Sequence, residues 1–319
     1  MAYAEARQLD AEIPLIDIAP LRDGSDPGGV ARALHGASTE LGFIYVTGHG
    51  IPEEMINEAR DTAYDFFRAD PAQKEEVRVS GAHRGWLARG GAKMQDDAKA
   101  DLKESFIWGW QDAEGATPHD HALRGANRWP GFLPELQTVS MAYFQAAHGV
   151  AHHLMRGFAL GLGLDEDFFL RTADRPLSRA SYVYYPAQPA ELGTDQFGVG
   201  PHTDFGVLTV LCQDNVGGLQ VQGLDGSWVH APPVPGALVV NVADLLARWT
   251  GGAYKSTPHR VVNTSGRERL SLVLAWDPNP ETMIDPARVP NAGPEQADPI
   301  TCGDYLLWRF GKAFAYRKG

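Results

Sequence analysis

The sequence predicts a mostly β fold with α-helices, in which a closed or nearly closed sheet in the C-terminal half is buttressed by N-terminal helices and followed by a last apolar helix. Three observations carry this. The hydrophobic pattern changes near residue 180, from a helical period before it to short β-type runs after it. Those runs come at close, fairly even spacing, punctuated by Gly, Pro, Asn and Asp, as in a barrel or double-sheet sandwich. An apolar segment of helical character occupies residues 303–317.

In chain order, Pro14-Leu15-Ile16-Asp17 reads as a strand. Residues 28–41 place Val30, Ala33, Leu34, Ala37 and Leu41 on one helical face. Gly42-Phe43-Ile44-Tyr45-Val46 is a β-type run ended by Gly48-His49-Gly50. Residues 51–69 form a helix opened by Pro52, with Met55, Ile56, Ala59, Ala63, Phe66 and Phe67 as its stripe. Asp70-Pro71 supplies a cap and a first-turn proline for a short helix. Residues 133–164 read as one long helix or a broken pair. The β runs are 180–185, 207–213, 218–222, 227–230, 237–242, 259–263 and 270–276; residues 281–299 are Pro-rich and irregular. The expected organisation is a helical region, residues 1–175, packed as one unit on a β region, residues 176–319.

With 319 residues, 44% hydrophobic and 21% charged, the composition is globular. A net charge of −12 argues against a nucleic-acid partner, which needs a basic stripe. The two cysteines, Cys212 and Cys302, are too few for a disulfide framework or a Cys-rich zinc site and read as free thiols in a reducing compartment. The first residues lack a signal-peptide pattern and no apolar run is long enough to span a membrane, so the expected location is cytoplasmic, with a small-molecule partner.

Chemistry concentrates in the β region. In Pro201-His202-Thr203-Asp204 the two functional side chains lie two apart, so an extended backbone turns both to one face. His259, in Thr257-Pro258-His259-Arg260-Val261, begins another strand. Pairing of the two strands would bring two histidines and one carboxylate to one face of a metal, leaving the opposite positions open, as in the facial triad of non-haem Fe(II) oxygenases. His148 and His152, four apart on the long helix, are a weaker pair with no glutamate between them. Arg269 and Ser271 share a strand face, and a guanidinium plus a hydroxyl suits a carboxylate.

These segments, in order and spacing, resemble the isopenicillin N synthase-like family of iron- and 2-oxoglutarate-dependent dioxygenases. The resemblance covers nearly the whole chain. It rests on Ile13-Pro14-Leu15-Ile16-Asp17, on residues 41–51, on Asp101-Leu102-Lys103-Glu104-Ser105-Phe106 and on the Pro201–Asp204 motif followed by Thr209 and Leu211. It continues through Gly217-Gly218-Leu219-Gln220-Val221, Val240-Asn241-Val242-Ala243-Asp244, residues 249–261 and Arg269-Leu270-Ser271. It implies a double-stranded β-helix (jelly-roll) core and Fe(II) held by His202, Asp204 and His259. It also implies 2-oxoglutarate held by Arg269 and Ser271, with Tyr185 of Val183-Tyr184-Tyr185-Pro186 as a further contact and O₂ as the oxidant. Val183 stands where the family has an asparagine, and Ala243 where it has a glycine.

The implied reaction is oxidation of an unactivated C–H bond of a small metabolite, by hydroxylation or desaturation, with release of succinate and CO₂. The family suggests a pocket roofed by residues 84–110 and by the C-terminal helix. Phe106, Trp108, Phe205 and Trp276 are candidate apolar walls, and Arg84, Arg89 and Lys93 candidate contacts for a substrate acid. Three other readings stay open: an Fe(II) oxidase of the same family that takes no 2-oxoglutarate, a zinc hydrolase with the same ligands, and a binding protein on a jelly roll.

Overall fold

The computed structural model describes residues 13–92, 101–116, 120–187 and 197–317; Lys93 lies outside them. The strands are β1 Leu15–Asp17, β2 Phe43–Thr47, β3 Gly85–Leu87, β4 Glu104–Gly109, β5 Arg179–Tyr185, β6 Val199–His202, β7 Leu208–Cys212, β8 Leu219–Gln222, β9 Trp228–His230, β10 Leu238–Val242, β11 His259–Val261, β12 Arg269–Trp276, β13 Met283–Ile284 and β14 Ile300–Thr301. The helices are α1 Ala19–Arg22, α2 Pro27–Glu40, α3 Glu53–Arg68, α4 Pro71–Glu75, α5 Glu135–Gly161, α6 Asp244–Trp249 and α7 Cys302–Ala313.

Local chemistry accounts for the helix starts. The Asp26 carboxylate accepts from the Gly29 amide ahead of a first-turn proline, and Asp70 does the same for Ala72. Thr301 caps α7 by accepting from the Asp304 amide. Residues 133–164 resolve into the single helix α5, whose Tyr143, Phe144, Ala147, Leu154 and Phe158 are buried.

Eight strands form the major sheet in the order β1-β2-β10-β7-β12-β5-β4-β3, and four form a minor sheet, β6-β11-β8-β9. Apart from the parallel β1–β2 pair, the pairings within these two sheets are antiparallel. The fold is the jelly roll, with helices on the outer face of the major sheet. Strands of the N-terminal region sit at both ends of that sheet, so residues 1–175 contribute β structure as well as helices. The sequence pattern does not predict α1, β3, β4, β6, α6, β13 or β14, and β13 falls in the stretch 281–299 expected to be irregular; β4, Glu-Ser-Phe-Ile-Trp-Gly, does carry a period-two alternation.

The pleat of the major sheet separates two environments. On β12, Leu270, Leu272, Leu274 and Trp276 join the large core against α3 and α5. Arg269, Ser271, Val273 and Ala275 alternate with them and belong to the inner face. Antiparallel pairing with β5 sets Arg269 opposite Tyr185, Ser271 opposite Val183 and Ala275 opposite Arg179. The same alternation assigns Phe106 and Trp108 of β4, both 0% exposed, to the outer core, where they meet Phe66, Trp129 and Tyr182. Phe106, Trp108 and Trp276 are therefore core aromatics, a correction to their expected role as substrate walls. Among the described residues no helix is long and apolar enough to cross a membrane, and both cysteines are free and buried.

Because Trp276 packs on the helical side, Trp276→Ala should cost about 3–5 kcal/mol of stability, read as a lowered denaturant midpoint. Trp276→Phe should leave metal binding unchanged.

Candidate active site

The site is assembled where the minor sheet meets the loop after β6. His202 ends β6 and His259 begins β11, and antiparallel pairing sets them directly opposite each other, with ring centroids 4.3 Å apart. Asp204 lies two residues beyond His202. Its Oδ1 is 3.8 Å from His202 Nε2 and 3.8 Å from His259 Nε2. One ligand atom from each of the three falls within 4.8 Å of the others, and no second such group occurs among the described residues.

Supporting hydrogen bonds orient this trio. His202 Nδ1 lies 2.8 Å from the Gly200 carbonyl and His259 Nδ1 3.3 Å from the Thr257 carbonyl. With each Nδ1–H donating to its carbonyl, each Nε2 keeps a lone pair. The Asn241 amide donates to Asp204 Oδ2 at 2.8 Å, which leaves Oδ1 to face the histidines. The main chain of Asp204 is tied to the start of α6 by the Asp244 amide, 2.9 Å from its carbonyl. Burial, reinforced by His259, pushes the His202 imidazole well below its ordinary value, so it is neutral and fit to ligate. Burial opposes ionisation of Asp204, but the two histidines and hydrogen bonds from Thr209 and Asn241 hold it below the usual carboxylate range. Two imidazoles and one carboxylate on a single face suit Fe(II), with positions left for exchangeable ligands.

A cavity of about 180 Å³ opens from this trio between the two sheets. Tyr185 and Val183 line it toward one end, beside the paired Arg269 and Ser271. Arg269 is 0% exposed; its Nε donates to the Gly217 carbonyl at 2.6 Å, and its Cζ lies 4.6 Å from the Tyr185 ring centroid. Its Nη1 and Nη2, and the Ser271 hydroxyl, are buried without a hydrogen-bond partner. Leaving such groups unsatisfied costs about 1–3 kcal/mol each, so three on one strand face fit an anionic ligand such as a carboxylate. Burial pushes the Tyr185 phenol up to about 12 against the pull of Arg269, so it stays protonated and able to donate. Val183, opposite Ser271, presents an apolar surface where an asparagine would offer an amide.

Phe205 lines the cavity, as expected, and so do Phe310 and Phe314 at the end of α7. His83, Lys103 and Arg179 also line it; Lys103 falls in the segment 84–110 expected to roof the pocket, whereas the sequence pattern assigns His83 and Arg179 no place in it, because nothing local distinguishes them from surface charges. Arg84 is buried beside His83 rather than solvated, and Arg89 is not among the lining residues. The His148 and His152 rings lie 4.6 Å apart and tilted on α5, with His148 Nε2 bonded to the Ser178 hydroxyl and, among the described residues, no carboxylate completing a ligand set.

Comparison with known proteins follows the same lines. The profile of the 2OG-Fe(II) oxygenase superfamily matches residues 176–278, and a profile described as non-haem dioxygenase in morphine synthesis N-terminal matches residues 13–131. The homoarginine-6-hydroxylase 2-ODD-C23 of Glycine max is 34% identical over 299 residues, spanning 86% of this chain and 88% of the relative. A full-length Neurospora crassa protein, crystallised in complex with alpha-KG and thymine, superposes with a TM-score of 0.85 at 28% identity, over 97% of this chain and 99% of that one. JOX2 in complex with 2OG, Fe and JA gives a TM-score of 0.78 at 28% identity, over 96% and 86%.

Replacing either His202 or Asp204 with Ala should abolish high-affinity binding of Fe(II), measured by anaerobic calorimetry, while the circular dichroism spectrum is retained. His148→Ala should bind metal as the parent does; loss of metal there would move the site to the helix.

Proposed function

The chain belongs to the 2OG-Fe(II) oxygenase superfamily, enzymes that use Fe(II), 2-oxoglutarate and O₂, and we propose that it oxidises an unactivated C–H bond of a small-molecule metabolite. In this reading His202, Asp204 and His259 ligate the metal, and Arg269 and Ser271, with Tyr185, hold the distal carboxylate of 2-oxoglutarate. The observation that carries it is the set of unpartnered buried donors on Arg269 and Ser271, on the inner face of the strand that walls the metal cavity.

When bound, iron and 2-oxoglutarate would supply the oxidising chemistry, one oxygen atom of O₂ ending in succinate as CO₂ is lost from the co-substrate and the other being spent on oxidising the substrate. The chain's own residues position and exclude. Asn241 keeps Asp204 Oδ1 turned to the metal position. The two carbonyl-bonded Nδ1 groups keep the imidazoles in register. Phe205, Phe310 and Phe314 wall the cavity against water above the trio. Hydroxylation is the simplest outcome, because it requires only that one C–H bond of the substrate point at the metal.

Two measurements test this. Arg269→Ala should weaken 2-oxoglutarate binding by about one to two orders of magnitude, since charge-assisted hydrogen bonds contribute about 1.5–3 kcal/mol each and about 1.4 kcal/mol is a decade. Arg269→Lys should recover only part, because an ammonium cannot make paired bonds. Anaerobic titration of the Fe(II) protein, watching the visible charge-transfer band, reads both. Equal binding by all three proteins returns the oxidase alternative. Second, removing residues 303–319, which takes away Phe310 and Phe314, should raise 2-oxoglutarate consumption relative to product; unchanged coupling in a folded truncation would make α7 a scaffold only.

A further inference from the structure

The cavity has a second polar end that the metal and 2-oxoglutarate do not use. His83, Lys103 and Arg179 line it. Arg179 and Tyr185 are the two ends of β5, and both line the cavity. Six residue steps separate them, about 20 Å at ~3.3 Å per step. A single 2-oxoglutarate cannot reach from the Arg269 clamp to Arg179.

This end is built with positive charge. Arg84 is 1% exposed, its Nη1 donates to the Ala82 and His83 carbonyls, its Nε has no partner, and no carboxylate among the described residues pairs with it. Arg179 Nη1 donates to the fully buried Asp277 at 2.5 Å, which uses one edge of its guanidinium. Lys103 Nζ stands 3.8 Å from Asp101 Oδ2. His83 is held between these groups at φ 60°, the one described non-glycine residue in the left-handed region. Its ring packs 4.5 Å from Phe310 and 4.6 Å from Phe314, and its Nδ1 is bonded to the Tyr316 hydroxyl. Such strain persists where surrounding contacts over-determine it, commonly at ligand sites. Burial, then Arg179, Arg84, Arg317 and Lys103, hold the imidazole well below its ordinary value. Among the described residues lining the cavity, Asp204 is the only carboxylate, and it is committed to the metal trio. A cationic substrate meets like charge here and no unpaired carboxylate among the described lining residues, whereas an anion finds the second edge of the Arg179 guanidinium and the Lys103 ammonium.

We infer that the substrate is a small carboxylic acid, its carboxylate held by Arg179 and Lys103 at the His83 end and its apolar body lying against Phe205 and Phe310 beside the metal trio. The inference rests on the oxygenase reading and narrows it to a substrate class. A carboxylate fits better than a phosphate: one arginine edge and one ammonium satisfy two oxygens, and a dianion with three would be left short of donors.

The test uses the enzyme loaded with Fe(II) and 2-oxoglutarate. Phenylacetic, 3-phenylpropionic and cyclohexylacetic acids are each compared with their primary amides and the corresponding amines. Succinate release is followed in air and binding by anaerobic calorimetry. At least one acid should bind and stimulate succinate release tenfold or more above its amide, with the amines inert. Arg179→Gln should raise that acid's KM at least tenfold and leave the charge-transfer band in place. Because Arg179→Gln leaves Asp277 without its partner and can fail to fold, Lys103→Met is the second variant, expected to weaken the acid and not its amide. A panel in which no acid outperforms its amide overturns the inference, as does an acid preference that survives in both variants. Absence of the charge-transfer band in the parent protein overturns the oxygenase reading and the inference with it; a normal band with no acid preference overturns the inference alone.

Discussion

The antiparallel pairing of β6 with β11 is the contact on which the rest of the site depends. It is short, it is interrupted by an irregularity between His259 and Val261, and it sets His259 opposite His202. A slip of one residue would turn the ligand side chain of the moved strand to the other face of the minor sheet. Register is held from both flanks. β8 pairs along the far side of β11, setting Val221 opposite His259, and the Asp204 main chain is hydrogen-bonded to the start of α6. The histidines converge because strands on either side leave no other alignment, and a metal bound there adds its own binding energy to the same arrangement.

β12 shows how the fold separates stability from chemistry. Its outward residues are among the most buried in the molecule, against α5. Its inward residues include a fully buried arginine and serine whose Nη1, Nη2 and hydroxyl groups have no protein partner. A chain selected for stability alone would place apolar side chains there. The strand tolerates the cost because the helical side of the sheet supplies many buried aliphatic and aromatic groups, each contributing about 1.5–3 kcal/mol, so the inner face is free to hold donors until a ligand satisfies them.

The inner face then acts as a graded channel. Arg269 and Ser271 lie toward one end, the metal trio faces the cavity between, and Arg179, Lys103 and His83 line the other end. C-terminal aromatics form the wall at that second end, and Tyr316 reaches His83 across it. The polarity of the two ends is alike, but their neighbours differ: among the described residues no carboxylate forms an ion pair with Arg269, whereas Arg179 is paired with Asp277. The first is suited to a ligand that must be held tightly, the second to a substrate that binds and leaves.

Much of this was legible in the sequence because it depends on local spacing. The period-two relation of His202 to Asp204 and of Arg269 to Ser271 puts each pair on one face in any extended backbone, and the change from helical to β texture near residue 180 follows from hydrophobic period alone. The motif order carried the family, and through it the jelly roll and the partnership of His259 with a strand distant in the chain. What the sequence could not decide was which face of a strand looks inward. Phe106, Trp108 and Trp276 are aromatic residues on strands of the major sheet, equally suited by composition to a core or a pocket wall; only the packing of α3 and α5 on one side of that sheet makes that side the core. Likewise Lys103, Arg179 and His83 are ordinary one at a time. They become one end of a cavity only when β4, β5 and the segment before β3 are laid edge to edge, because proximity between residues far apart in the chain is a property of the tertiary structure and leaves no periodic trace in the sequence.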